Sequence, residues 1–549
     1  MSTSSRPRMA ALLIASCALL VLAAAPSAAA KNGFSFGVAA GDVSQHAAKL
    51  WAHAKKAGKA TLELQSRGRP RCDEGDQGEP KAKAKKSDNF TINKKVKGLA
   101  AGTEYLFRFC FGDVASKVGS FETPPAKGKS KTIEFAITGD YDAQKAPGAS
   151  KPYWNNFDVF KRMLGENNDF NLLLGDTIYT DTEVPDVPTS EIALSVKQKW
   201  GKYRMNLKQK KLAALRSSAT TYSHWDDHEF INDFARGMNE FGGTSQIPGA
   251  GLTATNGETL YQRGVRAFRD YAPVTYSKQN GLYRTFQWGK NLEIFMPDER
   301  SFRSTPADYQ GVCNNPSTGE PDLVPTAPQS YRDQFALLIP SLATPVSQQC
   351  LDTINDPNRT MLGQAQFNRL VNDVATSVAK WKVIVNEVPI QQLYVNPYDY
   401  WEGYAAERRR LIDTLNARGV RNLVFLTTDI HANLYNEINF NSLGPDPIVH
   451  SGYFEIITGP AATATFAVEA DRAAFSGANA VLYNRVLKPQ PPDGVGTICA
   501  AIDRFSYAQV KVKAGQLTVN YKDIKGQPVQ ETSGPDVKGT CAPIVFNAQ

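Results

Sequence analysis

Between residues 124 and 131 the run Pro-Pro-Ala-Lys-Gly-Lys-Ser-Lys separates two different patterns of apolar residues. A Pro/Gly/Lys stretch of this kind breaks regular structure and marks a boundary. Before it, Ala48–His53, Thr61–Gln65 and Glu104–Cys110 alternate apolar and polar residues, the period of half-buried strands. Strands so closely spaced predict a small β-sandwich over residues 31–128. After it, buried strands alternate with helices. Ile133–Ile137, Asn171–Leu174, Val383–Val385 and Leu423–Leu426 read as strands. Helical spacing relates Phe157, Phe160 and Leu164, then Val196, Trp200, Tyr203 and Leu207. It recurs at Phe367, Leu370, Val371, Val374 and Val378, and at Leu411, Ile412 and Leu415 before a stop at Gly419. Tyr507–Val512 and Leu517–Tyr521 form an expected terminal hairpin. Residues 129–549 therefore make an α/β domain with connections long enough for crossovers.

The first thirty residues have the form of a cleaved signal peptide. Arg6 and Arg8 precede an apolar run from Met9 to Ala24, and Ser27-Ala-Ala-Ala30 offers small residues for cleavage. The run is shorter than the ~20 residues a membrane span needs, so export without stable membrane insertion is expected. Cys17 leaves with this segment. The remaining Cys72, Cys110, Cys313, Cys350, Cys499 and Cys541 are an even set without C-x-x-C, which favours disulfides over a thiolate metal site. Pairing of neighbours is the simplest of the fifteen connectivities that six cysteines allow. The net charge of +8 includes the signal segment and the cluster Lys81-Ala-Lys-Ala-Lys-Lys86. That cluster lacks interleaved aromatics and is expected to be a solvated loop, with no nucleic-acid partner.

The chemistry concentrates in four polar clusters expected just beyond buried strands, where an open α/β sheet gathers ligands. They are Gly139-Asp-Tyr-Asp142, Gly175-Asp-Thr-Ile-Tyr179, Trp225-Asp-Asp-His-Glu229 and Thr428-Asp-Ile-His431. A single Gly-Asp after a strand often only caps a turn. Four such clusters carrying carboxylate, imidazole or phenolate are harder to assign to capping. Three of the chain's six histidines, His224, His228 and His431, lie in or beside them. Such oxygen and imidazole donors suit iron, manganese, zinc or calcium.

In order and spacing these clusters resemble the metallophosphoesterase motifs, and Gly175-Asp-Thr-Ile-Tyr-Thr-Asp181 is similar to the tyrosine block of purple acid phosphatases. The resemblance is closer to the PhoD-like alkaline phosphatase/phosphodiesterase family. It is carried by Trp225–Glu229, Asp298-Glu-Arg-Ser-Phe-Arg303, Trp381-Lys-Val-Ile-Val-Asn-Glu387, Trp401-Glu-Gly-Tyr404 and Leu426–His431, with Phe36–Asp42 as an opening strand. It implies a four-layer αββα metallophosphoesterase sandwich, preceded by the small N-terminal β-sandwich. It also implies hydrolysis of a phosphate ester by in-line attack of hydroxide activated by two or more metals, either iron with calcium or zinc/manganese.

Carried over position by position, the resemblance makes Asp176 the bridging carboxylate and Tyr179 a phenolate ligand. Asp140, Asp227, Asp429 and His431 complete the metal ligands. His228 stands beside the leaving group, Arg300 or Arg303 meets the phosphoryl oxygens, and Asn386 falls among the substrate-binding positions. The chain departs from the family in having no cysteine near Asp140, in Thr428 for a usual Gly, and in Glu387 for a usual Gln. Glu387 is expected to add negative charge near the metals. The rival expectations are a phosphodiesterase or phospholipase D-type specificity on the same site, and a non-catalytic surface protein keeping the fold.

Overall fold

The computed structural model describes residues 33–72, 81–112, 114–238, 256–443, 447–532, 539–541 and 543–549. The expected signal peptide lies outside them.

Two sheets pack face to face, and strict alternation along their central strands explains why. Ile133, Phe135 and Ile137, Leu172 and Leu174 of one sheet meet Ile294, Met296, Val383, Val385, Val424 and Leu426 of the other in a single core. The intervening side chains face outward, since successive residues of a strand point to opposite faces. Ala136 and Leu173 pack under helices with Phe160, Leu212 and Phe268. Ile384 and Phe425 pack under helices with Phe367, Leu370, Leu411 and Leu415. The layers are therefore helix, sheet, sheet, helix. Burial on both faces is why these strands are nearly uninterrupted apolar runs.

The first sheet has nine strands, ordered Ile544–Asn547, Gln516–Asp523, Ser506–Lys513, Ile133–Thr138, Phe170–Leu174, Thr220–His224, Phe34–Ser44, Ala47–Ala54 and Thr91–Lys97. The second has seven, ordered Arg284–Trp288, Leu292–Met296, Trp381–Val385, Leu423–Thr427, Val449–Ile457, Asn433–Phe440 and Cys499–Ala501. Within each, the four consecutive strands that carry the polar clusters or neighbour them run parallel.

The N-terminal strands do form two apolar layers, with Val38, Leu50 and Ile92 packed against Leu62, Phe107 and Phe109. One of those layers is not separate. Phe34–Ser44 pairs with Thr220–His224 at Ala40 and Thr220, so the nine-stranded sheet runs on into the N-terminal unit. This pairing covers what would otherwise be an open edge. The hairpin Ser506–Lys513 and Gln516–Asp523 closes the other side by pairing with Ile133–Thr138, and so belongs to the central sheet.

Three details differ from expectation. Lys81–Ala84 is an edge strand paired with Gly58–Thr61 rather than a loop, although Lys81, Lys83, Lys85 and Lys86 remain exposed. The first helix, Asp158–Leu164, buries Val159, Phe160 and Met163, while Leu164 faces solvent and Phe157 precedes the helix with φ 59°. The helix Gln364–Thr376 stops before Val378, which is exposed. The disulfides are Cys72–Cys110, Cys313–Cys350 and Cys499–Cys541, with Cα separations of 5.7, 4.8 and 5.4 Å. No helix among the described residues is long and apolar enough to cross a membrane.

Candidate active site

Six parallel strands, three from each sheet, end at one place. Asp140 follows Ile133–Thr138, Asp176 follows Phe170–Leu174, and Trp225–Glu229 follows Thr220–His224. From the other sheet Asp298–Arg303, Asn386-Glu387 and Thr428–His431 follow Leu292–Met296, Trp381–Val385 and Leu423–Thr427. The carboxyl ends of parallel strands are where such sheets gather ligands. Close approach explains the glycines: a Cβ on Gly139 would stand 2.0 Å from the Leu174 carbonyl, and one on Gly175 2.7 Å from the Asp226 Cβ. Thr428 spans the two sheets by donating its hydroxyl to the Leu174 carbonyl at 2.9 Å.

Asp140, Asp176, Asp429 and His431 all hold the left-handed backbone conformation, with φ 55°, 46°, 69° and 54°. The region is uncommon for residues other than glycine and costs on the order of 1–3 kcal/mol each. Four cases within one cluster tie the strain to the aim of these side chains.

The side chains form overlapping triads. Ligand atoms of Asp140, Asp176 and His431 lie within 4.8 Å of one another, and so do those of Asp176, Asp227 and His228. Asp176 belongs to both. Asp226, Asp227 and Asp429 make a third group on the same spacing, and Glu183, His431 and Glu469 a fourth. Tyr179 places its hydroxyl 2.9 Å from His431 Nε2, and its ring stacks on that of His228 at 4.1 Å between centroids. His431 Nδ1 is held by Glu469 of the helix Phe466–Ala473. His228 Nδ1 lies 2.6 Å from Asp181 Oδ1, and the His228 backbone N–H donates to Asp176 Oδ1 at 3.1 Å. Glu229 braces the neighbouring turns by accepting from the backbone N–H groups of Thr177 at 2.7 Å and Asp226 at 2.9 Å.

The electrostatics describe a site built for cations. Both carboxylate oxygens of Asp140, Asp227 Oδ1 and Asp226 Oδ2 are buried without a hydrogen-bond partner. Burial pushes the Asp140 carboxyl up to about 8, against the pull of His431. Burial likewise holds Asp226 at about 6, Arg300 opposing, and drives Asp176 and Asp429 well above the carboxylate range. The two histidines move upward too. Desolvation works against the charged ring of His431, but Glu469 and its neighbours hold it at about 10; against the same burial, Asp181 and Asp176 raise His228 well above the usual imidazole range. Carboxylates crowded this closely retain protons unless cations take their place. The donor set, oxygen with imidazole and one phenol, fits hard or borderline metals.

The remaining expected residues lie around this cluster. Arg300 is fully buried. Its Nε donates to Asp226 at 2.5 Å and its Nη1 to Asp399 at 2.7 Å, while Nη2, 3.6 Å from Asp429, has no hydrogen-bond partner. Arg303 is fully engaged with Asp399, through Nη1 to the carboxylate and Nη2 to the carbonyl, and with the Tyr404 hydroxyl. Both polar atoms of the buried Asn386 side chain lack partners. Glu387 faces His224 Nδ1 at 2.6 Å and accepts the Glu299 backbone N–H at 3.0 Å. Burial, with Asp298 and Asp226 close by, pushes the Glu387 carboxyl well above the carboxylate range, so the negative charge expected of it beside the cluster is suppressed. Asp176, Asp227, His228, Asp429 and His431 line a cleft of about 790 Å³. Sequence reasoning assigned no role to Asp181, Glu183, Asp399 or Glu469. Asp181 sits inside the quoted Gly175–Asp181 block, so its motif was visible although its contact with His228 was not.

Known proteins share this construction. The solved structure described as "Structure of PhoD" superposes with a TM-score of 0.67 at 21% identity, over 95% of this chain and 92% of that one. A purple acid phosphatase from yellow lupin seeds superposes with a TM-score of 0.53 at 11% identity, over 94% and 74%. In sequence, the chain is 24% identical over 377 residues to alkaline phosphatase D of Bacillus subtilis (strain 168), covering 64% of this chain. The chain matches about half, 54%, of that relative's length. A PhoD-like phosphatase N-terminal domain matches residues 21–125, and PhoD-like phosphatase itself matches residues 146–521. The chain belongs to the PhoD-like phosphatase family.

Proposed function

We propose that this protein is an exported hydrolase of phosphoric esters that works with two or more metal ions. The observation that carries the reading is Asp176, shared between the Asp140–His431 triad and the Asp227–His228 triad amid unpaired buried carboxylate oxygens. Asp140, Asp176, Tyr179, Asp227, Asp429 and His431 are the residues that would hold the metals. Bound there, the ions would supply Lewis acidity for the phosphoryl group and lower the pKa of the attacking water.

The chain's own groups do the rest. Arg300, locked by Asp226 and Asp399, keeps Nη2 as the donor left for a phosphoryl oxygen. Arg303 fixes Asp399 and through it the Arg300 fork. Asn386 contributes an unpaired amide at the end of its strand. His228, with Nδ1 engaged by Asp181, has Nε2 left to protonate the departing oxygen. The three disulfides accord with an oxidising compartment, and the N-terminal thirty residues with secretory or periplasmic export.

The test pairs turnover with metal analysis on the purified protein. A monoester and a diester of one chromogenic alcohol are offered, and bound metals are counted in the same preparation. Turnover with metal bound supports the reading, and absence of both supports a non-catalytic surface protein. The second reading, a diester preference of phosphodiesterase or phospholipase D type, is favoured by the size of the cleft, which exceeds what a phosphate alone fills.

A further inference from the structure

The cleft that opens on Asp176 and His431 has a second wall of quite different chemistry. Phe335, Leu338 and Ile339, at and just beyond the end of the helix Gln329–Ala336, face it together with Val395, Phe466 and Phe475. Phe335, Ile339, Val395 and Phe466 are half-buried, packed from behind on the core of Tyr331, Tyr394 and Leu482. Leu338 is 39% exposed. Acidic floor and apolar wall belong to one continuous cavity.

A single helix joins the two. The Phe466 backbone N–H donates to the His431 carbonyl at 3.0 Å, and one turn later Glu469 of the same helix holds the His431 ring. Phe466 is thereby fixed beside a candidate metal ligand. The opposite part of the wall is held as firmly. The Cys313–Cys350 disulfide closes the excursion that carries Phe335 to Ile339. Inside it, buried Arg332 pairs with buried Asp322 at 2.8 Å and donates to the Val324 carbonyl at 2.8 Å. A wall already ordered loses little entropy when an apolar group settles on it.

We infer that this wall is a subsite for an apolar substituent of the phosphoric ester, an alkyl or aryl group of several carbons. The inference rests on the phosphoester reading above. Apolar side chains in a recess shared with the acidic centre gain contact with any ester whose phosphate sits on that centre and whose carbon chain runs along Phe466. A small, fully polar ester leaves the same surface wetted.

The experiment uses the full chain with its metals and a series of straight-chain alkyl monophosphates, ethyl to decyl, with the matching methyl alkyl phosphate diesters. The leaving alkanols of the longer members differ little in acidity, so their relative kcat/KM reports contact with the carbon chain. The expected result is a rise of about twofold per added methylene, below the roughly fourfold limit for complete burial. In Leu338→Ser and Phe466→Ser the decyl-to-ethyl ratio should fall at least about tenfold relative to wild type. Leu338 is exposed, so its variant keeps the fold even if the Phe466 variant does not. A flat wild-type series with good turnover of the ethyl ester overturns the subsite and leaves the phosphoesterase reading intact. A steep series unchanged in both variants overturns it too. Failure to hydrolyse any member of either series overturns both.

Discussion

Asp181 Oδ1 lies 2.6 Å from His228 Nδ1, and the other oxygen of Asp181 accepts the backbone N–H of Asn232 at 2.8 Å. The imidazole is therefore fixed in orientation by a carboxylate that is itself anchored. Asp181 also helps hold the ring's pKa above its ordinary range despite burial. His228 nevertheless sits within ligand distance of Asp176 and Asp227, so the geometry admits a metal-binding role as well.

The two roles of His228 predict different kinetics. A general acid matters most when the leaving alcohol is poor. His228→Ala should slow an alkyl phosphate about 10- to 100-fold more than a nitrophenyl phosphate, with metal content near wild type. Asp181→Asn should reproduce the bias in smaller degree, because the ring remains but loses its orienting charge. Turnover on both esters with metal analysis of each preparation checks this. Equal losses on both esters together with lost metal would make His228 a ligand.

Asp176→Asn should strip metal and nearly abolish hydrolysis. One carboxylate belongs to both triads, and a neutral amide cannot serve two cations. Elemental analysis and turnover measure it. Full occupancy with activity within about tenfold (~1.4 kcal/mol of barrier) would reduce Asp176 to a turn residue.

Tyr179 is fully buried, and burial together with the charges of Asp176 and Asp140 pushes its hydroxyl well above the usual phenol range. Only a strong Lewis acid would ionise it there. Iron-loaded protein should show a visible phenolate-to-metal absorption that Tyr179→Phe abolishes while the far-UV circular dichroism is retained. A band that survives the substitution removes Tyr179 from the metal.

The readable and unreadable parts of this architecture have distinct physical causes. Ile133–Thr138 and Leu423–Thr427 are apolar because both faces are covered, so they stand out in the sequence. Thr220–His224 is equally buried but is built from Thr, Thr, Tyr, Ser and His, and its pattern gives no sign of a strand. Its polar side chains find distant partners, as in the bond from the Tyr222 hydroxyl to the Val43 carbonyl at 2.7 Å, a contact 179 residues away. The fusion of the N-terminal layer with the main sheet was hidden for the same reason. The four clusters were legible because strand ends concentrate them in short motifs. Glu469 was not, since a glutamate on an amphipathic helix is an ordinary solvent-facing residue until the helix is docked on His431. Asp399 likewise declares itself only through Arg300 and Arg303.

His53 offers a test of stability far from the chemistry. Its ring is buried between Phe36 and Tyr271, and neither nitrogen has a hydrogen-bond partner. Burial, reinforced by Arg204, pushes its pKa down to about 4. In the unfolded chain the ring protonates around 6.5. Between these values the unfolded chain binds a proton that the folded one refuses, so stability rises with pH across the window. Above about pH 6.5 the ring is neutral in both states and has no effect. As pH falls from 6.5 toward 4, His53 alone should remove up to about 3 kcal/mol. His53→Phe keeps the ring contacts and cannot take the proton. Urea unfolding of both proteins at pH 7.5 and pH 4.5, with chelator present throughout, isolates the contribution from the carboxylates they share. The wild type should lose more stability than the variant on acidification. Equal losses in the two proteins would show that the folded His53 ring accepts its proton as readily as the unfolded one.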